Sequence, residues 1–125
     1  MKNFKILLGL FLVLAVGACE YDFVAPEEIP DIPIEEDLSF ATDVLPIFTA
    51  NCASCHNAGG RAPDLSAANA YQSINTAKYI NRDNPESSLI YSYVKSGAST
   101  HTHAQYTGTQ GQYILVWIQQ GAQNN

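Results

Sequence analysis

The 125-residue chain has little positive charge, with six Lys and Arg and no cluster of them. Nucleic acid is therefore excluded as a partner, because surfaces that bind a phosphate backbone need clustered basic residues. The chain also lacks the sustained period-two alternation of half-buried strands, which argues against a sheet. Its longest apolar run has eleven residues, whereas a helix that crosses a membrane needs about 20.

Charge divides the chain into three parts, which we interpret as a leader, a tether and one folded domain. Residues 1–18 carry two lysines, no acid and the apolar run. Residues 19–37 carry eight acids and no base, whereas residues 38–125 carry four of each and are neutral overall. The net charge of −6 thus arises outside the foldable part, whose length allows a single domain.

Residues 1–18 have the pattern of a signal peptide. A positive start precedes the apolar residues 6–16, which are too few for a permanent anchor. The run ends in Val16-Gly17-Ala18-Cys19, which resembles the bacterial lipobox, where the cysteine is lipidated and the chain is cut before it. We expect an exported lipoprotein that begins at Cys19, anchored on the periplasmic or cell-surface side of a bacterial membrane. The alternative for Cys19 is a buried or disulfide-bonded cysteine.

The acidic segment, residues 19–37, predicts an extended, disordered tether. Pro26, Pro30 and Pro33 disfavour helix and sheet, and the like charges repel one another. At about 3.1 Å per residue, it would hold the domain roughly 55 Å from its anchor. An acidic strip that docks onto a basic partner is the alternative.

In residues 38–125, hydrophobic periodicity predicts an all-α domain of four short helices. They are expected from Ser39 or Thr42 to Asn51, from Ser66 to Ile74, from Asn84 to Gly97, and from Thr107 to Gly121. Thr107 and Gln110 have the spacing of a capping box. A domain of this size buries only about 60–65% of its chain surface, so it would gain much from a large apolar prosthetic group.

The sequence Cys52-Ala53-Ser54-Cys55-His56 has the Cys-x-x-Cys-His spacing of c-type haem attachment. Two cysteines on a tight helical turn can reach the two vinyl groups of one haem edge, and the following imidazole can ligate the iron. We therefore expect one covalent haem c, with thioethers at Cys52 and Cys55 and His56 as the proximal ligand. Export supports this interpretation, because bacteria attach haem after translocation.

Two other uses of these cysteines are possible. A zinc site would recruit Cys52, Cys55, His101 and His103, but the His-x-His spacing is tighter than is usual in zinc fingers. A thioredoxin-type dithiol would follow a strand in a βαβ pattern, and the sequence shows no such pattern. Haem attachment is the favoured interpretation.

Three motifs carry a resemblance to a known family: residues 44–48 (VLPIF) before the haem motif, residues 84–91 (NPESSLIY) and residues 117–122 (WIQQGA). With them, residues 38–125 resemble a monohaem cytochrome c domain of the short kind found on Bacteroidetes and Planctomycetes lipoproteins and enzymes. The resemblance implies a cytochrome c fold in which the first and last helices cross beside the haem edge. It thereby implies that Val44 and Phe48 meet Ile114, Trp117 and Ile118.

The resemblance also implies roles for two residues that follow the haem motif. Pro63 matches a proline whose backbone carbonyl accepts a hydrogen bond from the proximal imidazole. A simple turn proline is the alternative. Arg61 is a candidate partner for a haem propionate, or else a solvated loop arginine.

The sixth iron ligand departs from the family pattern. Most such domains use a methionine shortly before the last helix, but the only methionine here is Met1, which signal cleavage would remove. The corresponding position, counted back from Thr107, is His101, and His103 follows it. We expect bis-His coordination by His56 and His101, with His103 as the alternative distal ligand. Neither histidine would bind if the iron were open or held water.

Taken together, these features imply an electron carrier that is not itself an enzyme and that exchanges electrons with redox proteins such as a dehydrogenase, another cytochrome or an oxidase. Bis-His ligation would lower its reduction potential relative to a His/Met site. One alternative is a haem-based sensor or peroxidase-like site with an open or displaceable sixth ligand. Another is a docking module whose cofactor is incidental.

Overall fold

The computed structural model describes Ile32 and residues 37–125, and in this part of the chain it contains four α-helices and no strand. The helices are α1 (Leu45–Asn51), α2 (Ala70–Ile74), α3 (Leu89–Ser92) and α4 (Gly108–Gln119). A π-helical turn, Phe40–Val44, leads into α1, and a 3₁₀ turn, Pro85–Ser87, precedes α3. The predicted all-α class is confirmed for these residues. None of these helices is long and apolar enough to cross a bilayer.

The predicted leader and Cys19 lie outside the described residues, as does most of the predicted tether. Ile32 is the described residue of the tether before Asp37. It is 7% exposed and packs within the hydrophobic core. The packed part of the chain therefore includes Ile32, earlier than the expected boundary at residue 38. With Ile32 held at the domain, an extended chain from Cys19 would reach about 40 Å.

Local hydrogen bonds explain where the first helical segment begins. The Ser39 hydroxyl accepts a hydrogen bond from Thr42 N at 3.4 Å, and the Asp43 carboxylate accepts one from Ser39 N at 2.7 Å. These bonds satisfy backbone donors that a helix start leaves unpaired. Of the two predicted caps, Ser39 is the one the chain uses. Pro46 lies in the first turn of α1, directly after the π-helical turn, and the chain stays helical through it.

Of the four described helices α4 is the longest, and its predicted cap is confirmed. The Thr107 hydroxyl accepts from Gln110 N at 3.2 Å, and the Gln110 side chain accepts from Thr107 N at 3.1 Å. After α4 ends, Gly121 adopts a φ of +99°, which a residue without a Cβ tolerates. The chain therefore leaves the helix where the sequence predicted.

The two middle helices are shorter than predicted. Helix α2 begins at Ala70 because Ser66 does not act as its cap; the Ser66 hydroxyl instead donates to Asp64 Oδ1 at 2.7 Å. The expected helix from Asn84 to Gly97 is interrupted at Ser88, whose backbone is extended (φ −56°, ψ 128°). The buried Ser88 hydroxyl accepts from Asn81 N, seven residues earlier, at 2.9 Å, and this bond outweighs the local helical periodicity.

The core lies between the first helical segment and α4. The residues predicted to meet there are all buried in one cluster: Val44, Phe48, Ile114, Trp117 and Ile118. Phe40 supplies the aromatic contact between the two segments, with ring centroids 5.3 Å from Trp117 and 6.4 Å from Phe48. This packing brings the end of α1, where the Cys-x-x-Cys-His motif begins, beside the rest of the domain.

Candidate functional site

A cavity of about 520 Å³ opens beside the Cys-x-x-Cys-His motif. This volume falls in the range of about 300–1,000 Å³ that is typical of sites for organic ligands and cofactors. Its walls come from three stretches of chain, residues 51–65, 78–94 and 101–106. The lining is mainly apolar, includes no acid and contains all three histidines of the chain.

A tight turn after α1 brings the motif residues to this cavity. Cys55 N and His56 N both donate to the Cys52 carbonyl, at 3.1 and 2.9 Å. Cys52, Cys55 and His56 consequently line one wall together. The two cysteines are free thiols, Cys52 half-buried and Cys55 exposed. The predicted tight turn is therefore present.

The Cys52 thiol is not activated by its surroundings. Burial raises the pKa of Cys52 above its ordinary value, so the thiol stays protonated at neutral pH. In thioredoxin-type dithiols the attacking cysteine instead has a lowered pKa. This direction argues against the dithiol alternative.

The His56 imidazole has one buried and unpaired nitrogen. Its Nδ1 is inaccessible and has no hydrogen-bond partner among the described residues. With Nδ1 buried, Nε2 is the nitrogen left to face a ligand in the cavity. An unpaired buried polar atom costs about 1–3 kcal/mol and calls for an explanation.

The predicted bond between His56 Nδ1 and the Pro63 carbonyl is not formed. Pro63 is buried and lines the same cavity as His56, which agrees with its expected position. Its carbonyl does not accept the expected hydrogen bond from the imidazole. The loop instead closes onto the motif through backbone bonds, from Leu65 N to the His56 carbonyl at 2.8 Å and from Arg61 N to the Cys55 carbonyl at 2.9 Å.

His101 lies on the same cavity, and one of its ring nitrogens is hydrogen-bonded. Its Nδ1 is 2.7 Å from the Ala104 carbonyl oxygen, which can only accept, so Nδ1 donates this bond and Nε2 is the nitrogen left for a ligand. The ring centroids of His56 and His101 are 6.1 Å apart, with 34° between the ring planes. Two imidazoles bound on opposite sides of one metal, each nitrogen about 2 Å from it, have ring centroids about 6 Å apart.

His103 also lines the cavity but is exposed. His101, by contrast, is half-buried, and its ring stands edge-on to Tyr93 with centroids 6.2 Å apart. Of the two histidines, His101 is therefore the one that the fold holds against its neighbours.

Two cations, Arg61 and Lys78, line the cavity, and neither pairs with an acid within the described residues. Lys78 Nζ lies 4.9 Å from the centroid of the Tyr79 ring. Lys95 lies similarly over Tyr91, at 5.7 Å, but away from the cavity. The cavity thus combines apolar walls with positive charge.

Tyr106 is a lining residue that the sequence analysis did not identify. It is 3% exposed, and its hydroxyl donates to the Ile90 carbonyl at 3.0 Å. Burial raises the pKa of Tyr106 well above its ordinary value, and charge on Cys52 adds to the rise. Tyr106 stands directly before the cap Thr107, but the fourth residue of the helix is Gly111, so the sequence carries no hydrophobic-staple signal that could have revealed it.

The four residues of the zinc alternative line this one cavity. Within the described residues, however, no set of three His, Cys, Asp or Glu side chains lies close enough to hold a metal ion by itself.

Comparisons of the chain with family models, with curated proteins and with solved structures find no match. The motif and the geometry of the cavity are therefore the features from which function is inferred.

The Tyr106→Phe variant tests the buried phenol. Because the pKa of Tyr106 is higher in the folded than in the unfolded protein, stability should fall as pH rises above about 10, by up to about 1.4 kcal/mol per pH unit. Urea unfolding at a series of pH values measures this loss. Tyr106→Phe should reduce the loss of unfolding free energy per pH unit, whereas the control Tyr113→Phe should keep the wild-type pH dependence. The same pH dependence in both variants would contradict the role assigned to Tyr106.

Proposed function

We propose that the chain is a monohaem cytochrome c, in which a haem joined to Cys52 and Cys55 occupies the cavity and the protein transfers electrons. One observation carries the proposal: the Cys-x-x-Cys-His turn opens onto a cavity where a second imidazole, His101, lies 6.1 Å from that of His56. When bound, the haem would supply an iron that gains and loses one electron.

The chemistry of the lining supports a haem. Side chains such as Leu65, Ile90 and Val94 offer an apolar surface to a flat macrocycle. Arg61 and Lys78 offer positive charge to its carboxylates, and no acid of the lining opposes them. An apolar body that carries acidic groups matches both parts of this lining.

His56 and His101 would both ligate the iron. Each ring has Nε2 available, because Nδ1 of His56 is buried and Nδ1 of His101 donates to Ala104. Two histidine ligands would favour electron transfer over catalysis, since the chain itself would then hold the iron against a substrate. They would also favour a lower reduction potential than His/Met ligation gives.

We further propose that the protein acts at a bacterial membrane as a lipoprotein held through Cys19. The signal pattern supports export, and the burial of Ile32 limits the reach of the tether. The partners would be redox proteins at the same surface. We propose that the protein meets these partners close to the membrane rather than in bulk solution.

A sensor or peroxidase-like site is the second candidate, and His103 is the observation that favours it. This exposed histidine lies on the cavity and would be free as an acid–base group if His101 left the iron. The two candidates differ in how firmly His101 is bound.

Covalent attachment is tested with protein made alongside haem-maturation machinery. After denaturation and an acid–acetone wash, the protein should stay coloured, and its intact mass should include one haem. The double variant Cys52→Ala/Cys55→Ala should lose both signals, while Ser54→Ala, between the two cysteines, should keep them. Colourless washed wild-type protein would overturn the proposal.

The distal ligand is tested by absorption spectra of His101→Ala and His103→Ala. We expect low-spin, six-coordinate iron in the wild type and in His103→Ala. His101→Ala should become high-spin and bind carbon monoxide rapidly. The reverse pattern would assign His103, and a high-spin wild type would support the sensor.

Lys78→Gln tests the cation on the cavity. Loss of a positive charge near the haem should lower the reduction potential by about 20–40 mV. Lys95→Gln is the matched control, because Lys95 also lies over a tyrosine ring but away from the cavity. Spectroelectrochemical titration measures the reduction potentials of both variants. Equal shifts in the two potentials would show only a general effect of charge and would contradict a role for Lys78 at the cavity.

A further inference from the structure

The loop that carries His101 depends on side chains for its shape. This ligand loop, residues 97–105, lies between α3 and α4 and contains no helix. Backbone bonds anchor its two ends, from Ala98 N to the Lys95 carbonyl at 3.0 Å and from Tyr106 N to the Val94 carbonyl at 3.1 Å. Between these ends, side-chain hydrogen bonds hold the loop in place of the backbone hydrogen bonds that hold helices and sheets.

Thr100 ties the middle of the ligand loop to the end of α3. Its hydroxyl donates to the Tyr93 carbonyl at 2.7 Å. The Tyr93 ring in turn stands edge-on to the His101 ring, at 6.2 Å between centroids. Tyr93 therefore contacts two successive residues of the ligand loop, Thr100 through its carbonyl and His101 through its ring. His101 cannot move away from the cavity without disturbing one of these contacts.

Gln105 closes the base of the ligand loop. Its side-chain amide donates to the Ala98 carbonyl and accepts from Gly97 N at 3.2 Å. One side chain thus joins the last residue of the loop to its first two residues. This bond pair fixes the separation of the loop ends, between which His101 is presented to the cavity.

We propose that Thr100 and Gln105 are positioning residues that hold His101 at the iron and so keep external ligands away from it. This inference rests on the proposed function. A ligand such as carbon monoxide can bind only when His101 has left, so its limiting binding rate at high concentration reports how fast the loop opens. The hydrogen bonds of Thr100 and Gln105, which we call the latches, slow this opening without touching the iron themselves.

The test uses reduced, haem-loaded full-length protein and carbon monoxide as the probe. In the wild type, binding should be slow and should level off at high carbon monoxide, because departure of His101 limits the rate. Thr100→Val, which loses the bond to Tyr93, should raise that limiting rate about three- to tenfold, as expected for the loss of one hydrogen bond. Gln105→Leu should raise it as well.

Two further variants separate a latch from general damage to the loop. Thr102→Val is the matched control, because Thr102 is exposed in the same loop and has no hydrogen bond within the described residues; its rate should equal that of the wild type. Thr100→Ser keeps the hydroxyl and should restore the wild-type rate. The proposal is overturned if Thr100→Val leaves the rate unchanged, or if Thr102→Val raises it equally.

Failure of the latch and failure of the proposed function give different results. A wild-type protein without covalent haem, or with high-spin iron that binds carbon monoxide at once, would remove the basis of both. Six-coordinate iron with slow binding that Thr100→Val does not accelerate would overturn the latch alone.

Discussion

The separation of two imidazole rings across one apolar cavity is the constraint on which the site depends. His56 reaches the cavity through a tight turn at the end of α1, whereas His101 reaches it from a loop before α4. Their centroid distance of 6.1 Å therefore depends on how α1, α3 and α4 pack. The proposed bis-His haem requires that this packing hold both rings at once.

The domain is poorly suited to hold such a cavity by its helices alone. Helices α1, α2 and α3 have seven, five and four residues, well below the length at which isolated helices become stable. Tertiary packing, as at the contact of Phe40 with Trp117, must supply the stability. A covalently bound macrocycle would add apolar contacts where the chain has few, so the proposed cofactor is also proposed to complete the core.

Positive and negative charge lie in different parts of the chain. The cavity contains Arg61 and Lys78 and no acid, while the acids are concentrated before the domain. The burial of Ile32 joins these parts, because it brings a residue of the acidic segment into the core. In the proposed lipoprotein, this contact would determine how far from the membrane electrons are exchanged.

Several features could be predicted from the sequence because neighbouring residues determine them: the turn at Cys52, the capping box at Thr107 and the buried face of α4. Other features depend on packing that local patterns do not reveal. Asn81 N donates to the Ser88 hydroxyl where the predicted helix is interrupted, and His56 Nδ1 is left without the partner expected at Pro63. The sequence favoured His101 over His103, but only the packing shows that His101 is the better-held histidine. Periodicity and spacing describe one segment at a time, whereas distances between segments arise only when the whole chain packs.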